Sequence, residues 1–189
     1  MILESAHKIY NMKQVIWLTG ASGVGKTTLL QNLEEKYSGN KAWKFLKFDS
    51  IGVPSNEEMV KDFGSGENWQ KEKTYEWIEK MVVGYPDKEI IVMDGQSNLE
   101  FIKIGFEKQG LNNYKIILID CSQEIMVKRL VDERQQAWLA SEDMKNWLVF
   151  LRKQASQFNV SIIDTTAINK EQVVIEFEKL LINQQSSVL

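Results

Sequence analysis

The sequence predicts a three-layer α/β fold, in which a parallel sheet of five strands carries helices on both faces. Short apolar runs alternate with amphipathic stretches along most of the chain. The apolar runs are continuous rather than alternating, which is typical of strands that are covered on both faces. Alternation of strands and helices also implies right-handed crossovers and parallel strands, so a ligand site is expected beyond the carboxyl ends of the strands.

Five apolar runs predict the strands, at residues 15–19, 43–48, 90–93, 116–119 and 160–163. Helical spacing of apolar residues follows the first, fourth and fifth strands and also precedes the fifth. The stripes are Leu29, Leu30, Leu33 and Tyr37; Ile125, Met126, Leu130 and Val131; Met144, Trp147, Leu148 and Leu151; and Val173, Val174, Phe177, Leu180 and Leu181. Two helix starts are marked in the sequence. Ser141 is a predicted cap before Glu142 and Asp143, and Asn169 with Gln172 resembles a capping box.

Length, charge and cysteine content exclude several classes of protein. A chain of 189 residues fits one domain, predicted over 1–189, and 23 basic against 26 acidic residues give a net charge of −3. No basic cluster favours a nucleic-acid partner. No apolar run is long enough to span a bilayer, and residues 1–13, with the single histidine His7, lack the apolar stretch of a signal peptide. The single Cys121 excludes an internal disulfide, so we expect a cytoplasmic protein without a membrane partner.

The segment after the first strand has the spacing of a phosphate-binding loop. It reads Gly20-Ala21-Ser22-Gly23-Val24-Gly25-Lys26-Thr27-Thr28, which satisfies G-x-x-x-x-G-K-[ST] in full. Glycines let the backbone curl so that N–H groups point at phosphate oxygens, and the next helix directs its positive end to the same anion. Lys26 is expected to contact the terminal phosphates and the Thr27 hydroxyl to ligate Mg²⁺. The predicted fold is therefore that of P-loop NTPases, with ATP and Mg²⁺ as cofactors.

Three aspartates end successive strands and are expected near the phosphate end of the sheet: Asp49, Asp94 and Asp120. A carboxylate there can orient Mg²⁺, accept a proton from an attacking hydroxyl, or cap the following helix. With strand order 2-3-1-4-5, the third strand lies beside the P-loop strand, which makes Asp94 the metal-ligand candidate. Asp49 is the candidate that orients or deprotonates an acceptor hydroxyl, and Asp120 is expected to be structural.

All three arginines of the chain, Arg129, Arg134 and Arg152, fall between the fourth and fifth predicted strands. Arginine offers a planar fork of donors to phosphate oxygens, which lysine does not. This concentration favours a lid over a nucleotide, predicted at about residues 129–145. Arg134 is the first catalytic candidate and Arg129 the second, while Arg152 is left between a ligand contact and a helix-surface pair.

These motifs resemble the P-loop small-molecule kinases of the gluconate kinase and shikimate kinase type, within the nucleoside-monophosphate-kinase-like group. Besides the P-loop, the stretch Asp49-Ser50-Ile51-Gly52-Val53-Pro54-Ser55-Asn56, followed by Met59, Gly64 and Trp77, is similar to the acceptor region of gluconate kinases. Residues 118–134 are similar to the fourth strand, helix and lid arginine of the group. The resemblance implies an acceptor-binding insertion at about residues 50–88 and transfer of the γ-phosphate of Mg·ATP to a small-molecule hydroxyl.

The sequence departs from that pattern in the acceptor region. Val53 stands where gluconate kinases have a histidine before the proline, and the arginine expected near Trp77 is absent. Acceptors in this group are anionic and are usually held by arginine, whereas here only lysines such as Lys61, Lys71 and Lys73 are available. Trp69 and Trp77 lie in the same insertion, where they either pack or line the acceptor pocket. Trp17 and Cys121 are predicted to be core residues.

Other nucleotide-binding classes fit less well. Residues 49–52 match the D-x-x-G pattern of GTPases, but the N-K-x-D guanine signature is absent, so we expect adenine to be preferred. The signature of transport ATPases is missing, and motor ATPases generally need longer chains. A nucleotide-binding regulatory module, or a nucleoside or nucleotide kinase, is the alternative. A module of that kind would keep Lys26 and Thr27 but need neither Asp49 nor the arginines, so their joint presence favours an enzyme.

Overall fold

Five parallel strands form the sheet, as the apolar runs predict. The computed structural model describes residues 13–182, and in this range the strands are β1 (Gln14–Thr19), β2 (Trp43–Lys47), β3 (Ile90–Asp94), β4 (Tyr114–Asp120) and β5 (Ser161–Asp164). Their order in the sheet is β2-β3-β1-β4-β5. The predicted strand order and the three-layer α/β fold of P-loop proteins are therefore confirmed.

Seven α-helices lie within the described residues. They are α1 (Lys26–Lys36), α2 (Asn56–Phe63), α3 (Gly66–Val83), α4 (Leu99–Lys108), α5 (Gln123–Lys128), α6 (Glu142–Gln157) and α7 (Lys170–Ile182). In this part of the chain no helix has the length and apolar character needed to cross a membrane. His7 and the rest of residues 1–12, most of the N-terminal stretch that lacks a signal-peptide pattern, lie outside the described residues.

Both predicted helix starts are present. The Ser141 hydroxyl accepts from the Met144 N–H at 3.2 Å, with Glu142 and Asp143 in the first turn of α6. Asn169 and Gln172 exchange side-chain hydrogen bonds with each other's backbone N–H, both at 2.9 Å. Each cap satisfies backbone donors that a helix start leaves without an intrahelical acceptor.

The predicted helix over residues 125–131 is interrupted. The α-helix ends at Lys128, and a π-helical turn follows over Arg129–Glu133. Met126 and Leu130 are fully buried, but Val131 is 39% exposed. The wider turn rotates the side chains that follow Lys128 relative to the apolar stripe of a regular α-helix. Val131 therefore points away from the core, where the apolar spacing had placed it.

The chain divides into two compact units, each with its own core. In the described range, one unit contains residues 13–17 and Asn40–Ile116. Its core is rich in aromatic residues: Phe48 lies 6.0 Å from Trp17 and 5.9 Å from Trp69 by ring centroids. The Trp77 indole N–H donates to the Phe48 carbonyl at 3.3 Å. Trp17 is in the core, as predicted, and both insertion tryptophans pack around Phe48.

The other unit contains Leu18–Gly39 and residues 117–182. Its buried apolar side chains come from the end of β1, from α1, β4, α5, α6 and β5, and from the inner face of α7. At the outer ends of α1 and α7 the Tyr37 hydroxyl donates to Glu178 Oε1 at 2.5 Å. Burial first, and then this carboxylate, raises the pKa of Tyr37 to about 12. Cys121 is 1% exposed in this unit, which confirms its prediction as a buried residue.

Candidate nucleotide-binding site

The loop between β1 and α1 has the backbone of a phosphate cradle. Gly20, Gly23 and Gly25 have φ angles of 150°, 85° and 106°. A Cβ atom on Gly20 would lie 2.3 Å from the Ile119 carbonyl oxygen, and one on Gly23 would lie 2.9 Å from Leu130 Cγ. The backbone conformation therefore favours glycine at all three positions, and close packing adds to this at Gly20 and Gly23. The following residue, Lys26, begins α1, so the positive end of that helix faces the loop.

Two contacts span this loop. The Lys26 ammonium donates to the Ala21 carbonyl at 3.0 Å, which holds its charge over the curled backbone. The Ser22 N–H lies 3.4 Å from the Met144 sulfur, at the first turn of α6. The Met144 contact was not foreseen, because its place in a helical stripe predicted only a core role.

Arg129 links the phosphate-binding loop to the loop after β5 through hydrogen bonds. Its Nη1 donates to Thr165 Oγ1 at 2.8 Å and to the Val24 carbonyl at 3.2 Å, and its Nη2 donates to the Thr165 carbonyl at 2.8 Å. Thr165 is 3% exposed, and its hydroxyl also reaches the Val24 carbonyl at 2.8 Å. The guanidinium thus bridges two loops that both border the nucleotide site. Sequence reasoning missed this use of the Thr165 side chain, since no local pattern marks it.

A cavity of about 530 Å³ lies over the cradle within this unit. Its lining includes Gly23, Gly25, Lys26, Thr27, Thr28, Arg129 and Arg134. A volume of this size is typical of sites for small molecules and cofactors. The cradle residues and both arginines predicted for the lid therefore share one cavity. Glu133 and Asn32 also line it and were not singled out, since nothing in their sequence context marks them.

The π-helical turn explains how both arginines reach the cavity. In a regular α-helix, residues five apart point about 140° away from each other, since each turn takes about 3.6 residues. Here the Arg134 N–H donates to the Arg129 carbonyl at 3.0 Å, an i to i+5 bond. The wider turn brings Arg134 closer to the direction of Arg129, and π-turns of this kind are frequent at functional sites.

Two of the three strand-end aspartates lie in the unit that contains β2 and β3. Asp94 is the last residue of β3, is 8% exposed, and pairs in register with Lys47, two residues before Asp49. Asp49 is exposed in a 3₁₀ turn, Phe48–Ile51, which closes with the Gly52 N–H donating to the Asp49 carbonyl at 3.0 Å. Trp17, Trp69 and Trp77 pack around Phe48 and so hold this turn in place.

Asp120 and Arg152 form a pair at the end of β4. Arg152 Nε donates to Asp120 Oδ2 at 2.8 Å, and its Nη2 donates to the Cys121 carbonyl at 2.7 Å. The Asp120 carbonyl accepts from the Thr165 N–H at 2.8 Å. Together these bonds join β4, α6 and the loop after β5, a structural use for both side chains. Burial also raises the pKa of the Cys121 thiol to about 11.

The residues assigned to Mg²⁺ offer ligands of the required kind. Thr27 supplies a hydroxyl that lines the cavity, and Asp94 supplies a carboxylate. Mg²⁺ prefers such oxygen ligands and usually keeps several waters, so one or two protein groups suffice. Within residues 13–182 no cluster of three or more His, Cys, Asp or Glu side chains is placed to enclose a metal ion. Each side chain is therefore an oxygen ligand of a kind that Mg²⁺ takes beside phosphate oxygens.

Comparison with known proteins places this arrangement among P-loop folds. The family model for the AAA domain matches residues 16–148. A curated protein from Agathobacter rectalis, described as a nucleotide-binding protein, is 26% identical over 180 residues, which is 92% of this chain and 54% of that protein. The chain thus spans about half the length of this relative.

Two solved kinases share the fold. A shikimate kinase from Acinetobacter baumannii, in complex with shikimate, aligns with a TM-score of 0.61 and 14% identity, over 96% of this chain and 99% of that one. A gluconokinase from Sinorhizobium meliloti aligns with a TM-score of 0.67 and 14% identity, over 95% and 99%. The resemblance to the gluconate kinase and shikimate kinase type is thereby confirmed at the level of the fold.

Proposed function

The chain belongs to the AAA domain family, and from that premise we propose that it is a phosphotransferase that uses Mg·ATP to phosphorylate a small-molecule hydroxyl. The observation that carries this proposal is the shared cavity of Lys26, Thr27, Arg129 and Arg134. Arg129 supports the cradle through Val24 and Thr165, but a site that only bound nucleotide would not need Arg134 beside it. The folds of shikimate kinase and gluconokinase agree with this proposal.

In the proposed reaction, a hydroxyl oxygen of the acceptor attacks the γ-phosphorus of ATP. A new phosphorus–oxygen bond forms while the bond to the bridging oxygen breaks, and ADP leaves with that electron pair. The Asp49 carboxylate orients the hydroxyl and takes its proton. Because phosphoryl transfer passes through a loose transition state, positioning and charge stabilisation matter more than early proton removal.

The basic residues have separate tasks in this scheme. Lys26 contacts the terminal phosphates, and Arg134 stabilises the charge that gathers on the transferred group. Arg129 holds the cradle in shape through Val24 and Thr165. Thr27 and Asp94 would hold Mg²⁺, which would supply positive charge beside the phosphates.

The decisive experiment is a screen for ADP and phosphorylated product across sugars, nucleosides and amino-alcohols, followed by variants. Asp49→Asn is expected to bind Mg·ATP nearly normally and to slow transfer on the order of a hundredfold, the scale of a lost general base. Asp94→Asn is expected to weaken both nucleotide binding and its dependence on Mg²⁺. Asp62→Asn, on the exposed side of α2, is the matched control and should behave as wild type.

Normal turnover by Asp49→Asn would reduce that residue to a structural role and move the acceptor site elsewhere. The second candidate function, a nucleotide-binding regulatory module, is favoured by the description of the curated relative. It predicts that wild type binds ATP with no product from any acceptor. A nucleoside or nucleotide kinase would instead be recognised by its acceptors in the same screen.

A further inference from the structure

The charge of the acceptor side differs from that of the nucleotide cavity. We define the acceptor-side segment as residues 48–98, which contain Asp49, α2, α3, β3 with Asp94, and the loop that follows; the whole segment lies in one compact unit. It has eleven carboxylates against five lysines, with no arginine or histidine, so its net charge is −6. The complete chain has a net charge of −3, which leaves +3 on all other residues. Carboxylates therefore dominate the electrostatic field of this segment.

Three of the five lysines in this segment already contact a carboxylate or an aromatic ring. Lys73 lies 2.8 Å from both Glu76 carboxylate oxygens, and Lys88 lies 2.6 Å from Asp87. Lys80 is 4.5 Å from the centroid of the Trp77 ring. These contacts offset the positive charge of the ammonium groups locally. The three lysines therefore add little attraction for an anionic acceptor.

The two remaining lysines do not form an anion clamp either. Lys71 lies 5.8 Å from the centre of the Phe101 ring. Lys61 is exposed in the last turn of α2, where a cation complements the negative end of the helix dipole. Bidentate capture of a carboxylate or phosphate is the property of arginine, and the segment has none.

Neutral side chains organise the loop that follows β3. The Thr74 and Ser97 hydroxyl oxygens are 2.7 Å apart, and both residues are 0% exposed. Gln70 donates through Nε2 to the Gln96 carbonyl at 3.5 Å and accepts at Oε1 from the Asn98 N–H at 3.2 Å. These uncharged groups are engaged with one another and with the backbone, so they hold the loop in place without adding a positive charge to the segment.

We propose that the acceptor carries no anionic group and is a neutral or cationic hydroxyl compound, such as a sugar alcohol, an aminosugar or a nucleoside. This inference rests on the proposed function, because it names the substrate class of that reaction. A carboxylate or phosphate on the acceptor would enter a segment of net charge −6 with no arginine to neutralise it. A neutral or amine-bearing acceptor meets no such repulsion, and an amine is attracted.

The test compares acceptors that share a skeleton and differ in charge. Glucitol, glucosamine and gluconate form one set, and a nucleoside with its monophosphate forms another. We expect neutral or cationic members to have a kcat/KM at least tenfold above their anionic counterpart. The KM of the neutral acceptor should stay within twofold between low and high KCl, because no ion pair forms on binding.

Variants supply a second readout. Lys61→Gln and Lys71→Gln are each expected to leave the acceptor KM within twofold of wild type, and a tenfold rise in either would show that the lysine binds an acceptor anion. Preference for gluconate or for the nucleoside monophosphate would overturn the inference and leave phosphotransfer intact. Transfer to no compound of either set or of the full acceptor screen, with ATP binding preserved, would refute the proposed function and withdraw the inference with it.

Discussion

At the scale of single residues, the two arginines of the cavity differ in their surroundings. Arg129 already makes three hydrogen bonds, to the Val24 carbonyl and to two atoms of Thr165. Arg134 is exposed at the end of the π-helical turn and lines the same cavity. The contacts of Arg129 therefore give it a structural role, whereas a role of Arg134 toward the ligand is part of the proposed function.

Replacing Arg129 by Ala is expected to lower both stability and nucleotide affinity. The change leaves the Val24 and Thr165 carbonyls without their charged donor, which costs about 2 kcal/mol in the free energy of unfolding. Arg129→Lys should recover little, because one ammonium does not reproduce the fork that spans both loops. Urea denaturation and ATP titration calorimetry measure the two effects. Unchanged stability with lost turnover would instead place Arg129 among the catalytic groups.

Replacing Arg134 by Ala is expected to lower kcat far more than ATP affinity. The guanidinium is needed most where charge redistributes during transfer, and loss of one such donor costs on the order of 10²–10³-fold in rate. Single-turnover rates measure the effect on transfer, and equilibrium titrations measure the effect on ATP affinity. Lys128→Ala, at an exposed residue at the end of α5, is the control. Equal losses of binding and turnover would make Arg134 a ground-state contact.

At the scale of elements, the cradle depends on close approach between the P-loop and its neighbours. Gly20→Ala places a Cβ 2.3 Å from the Ile119 carbonyl at a φ of 150°, so β4 or the loop must move. We expect a loss of at least about 2 kcal/mol in stability, with weaker ATP binding, since strain and a backbone clash add together. Thermal unfolding without Mg·ATP measures the stability, and the shift in melting temperature on adding Mg·ATP measures the binding.

Gly39→Ala is the matched control for that change. No heavy atom lies within 4 Å of a Cβ at Gly39, and the residue lies in the turn after α1. Its melting temperature should stay within about 2 °C of wild type, because an exposed substitution without contacts changes stability little. A Gly20→Ala variant as stable as Gly39→Ala would contradict the packing that defines the cradle.

Most of the elements were predictable because their signals are local. The continuous apolar runs gave all five strands, and the caps at Ser141 and Asn169 gave two helix starts, since each depends on residues close in sequence. The π-helical turn at Arg129 was not predictable. Apolar spacing from Ile125 to Val131 fits a regular helix, and the widened turn depends on packing against other elements.

In the candidate site, too, the local motif was predictable and the long-range contacts were not. The P-loop spacing located the cradle, because its chemistry is contained in nine consecutive residues. The tie between Arg129 and Thr165 joins residues 36 apart, and the contact of Ser22 with Met144 joins residues 122 apart. Such contacts depend on how the elements pack, which a single sequence does not encode in any local pattern.

At the scale of the whole molecule, the single cysteine reports on opening of the fold. Cys121 is 1% exposed, and burial raises the pKa of its thiol to about 11, because the thiolate would lose its hydration. The folded pKa lies above the ordinary cysteine value of 9.0. Its contribution to stability is therefore complete below pH 9 and is lost as the pH rises towards 11. At pH 8 the native thiol should be inert, and alkylation should require an opening of the structure.

Nucleotide binding should slow this opening. Mg·ATP that binds only the native state reduces the open population by the factor 1 + [L]/Kd, about a hundredfold at a hundred times Kd. We therefore expect alkylation of Cys121 at pH 8 to slow on that scale with Mg·ATP, as measured by mass spectrometry over time. Lys26→Ala should abolish the protection, since its ammonium would no longer contact the phosphates. Rapid alkylation of the native protein, or equal protection in the Lys26 variant, would mean that Cys121 reacts without opening of the unit that holds the cradle.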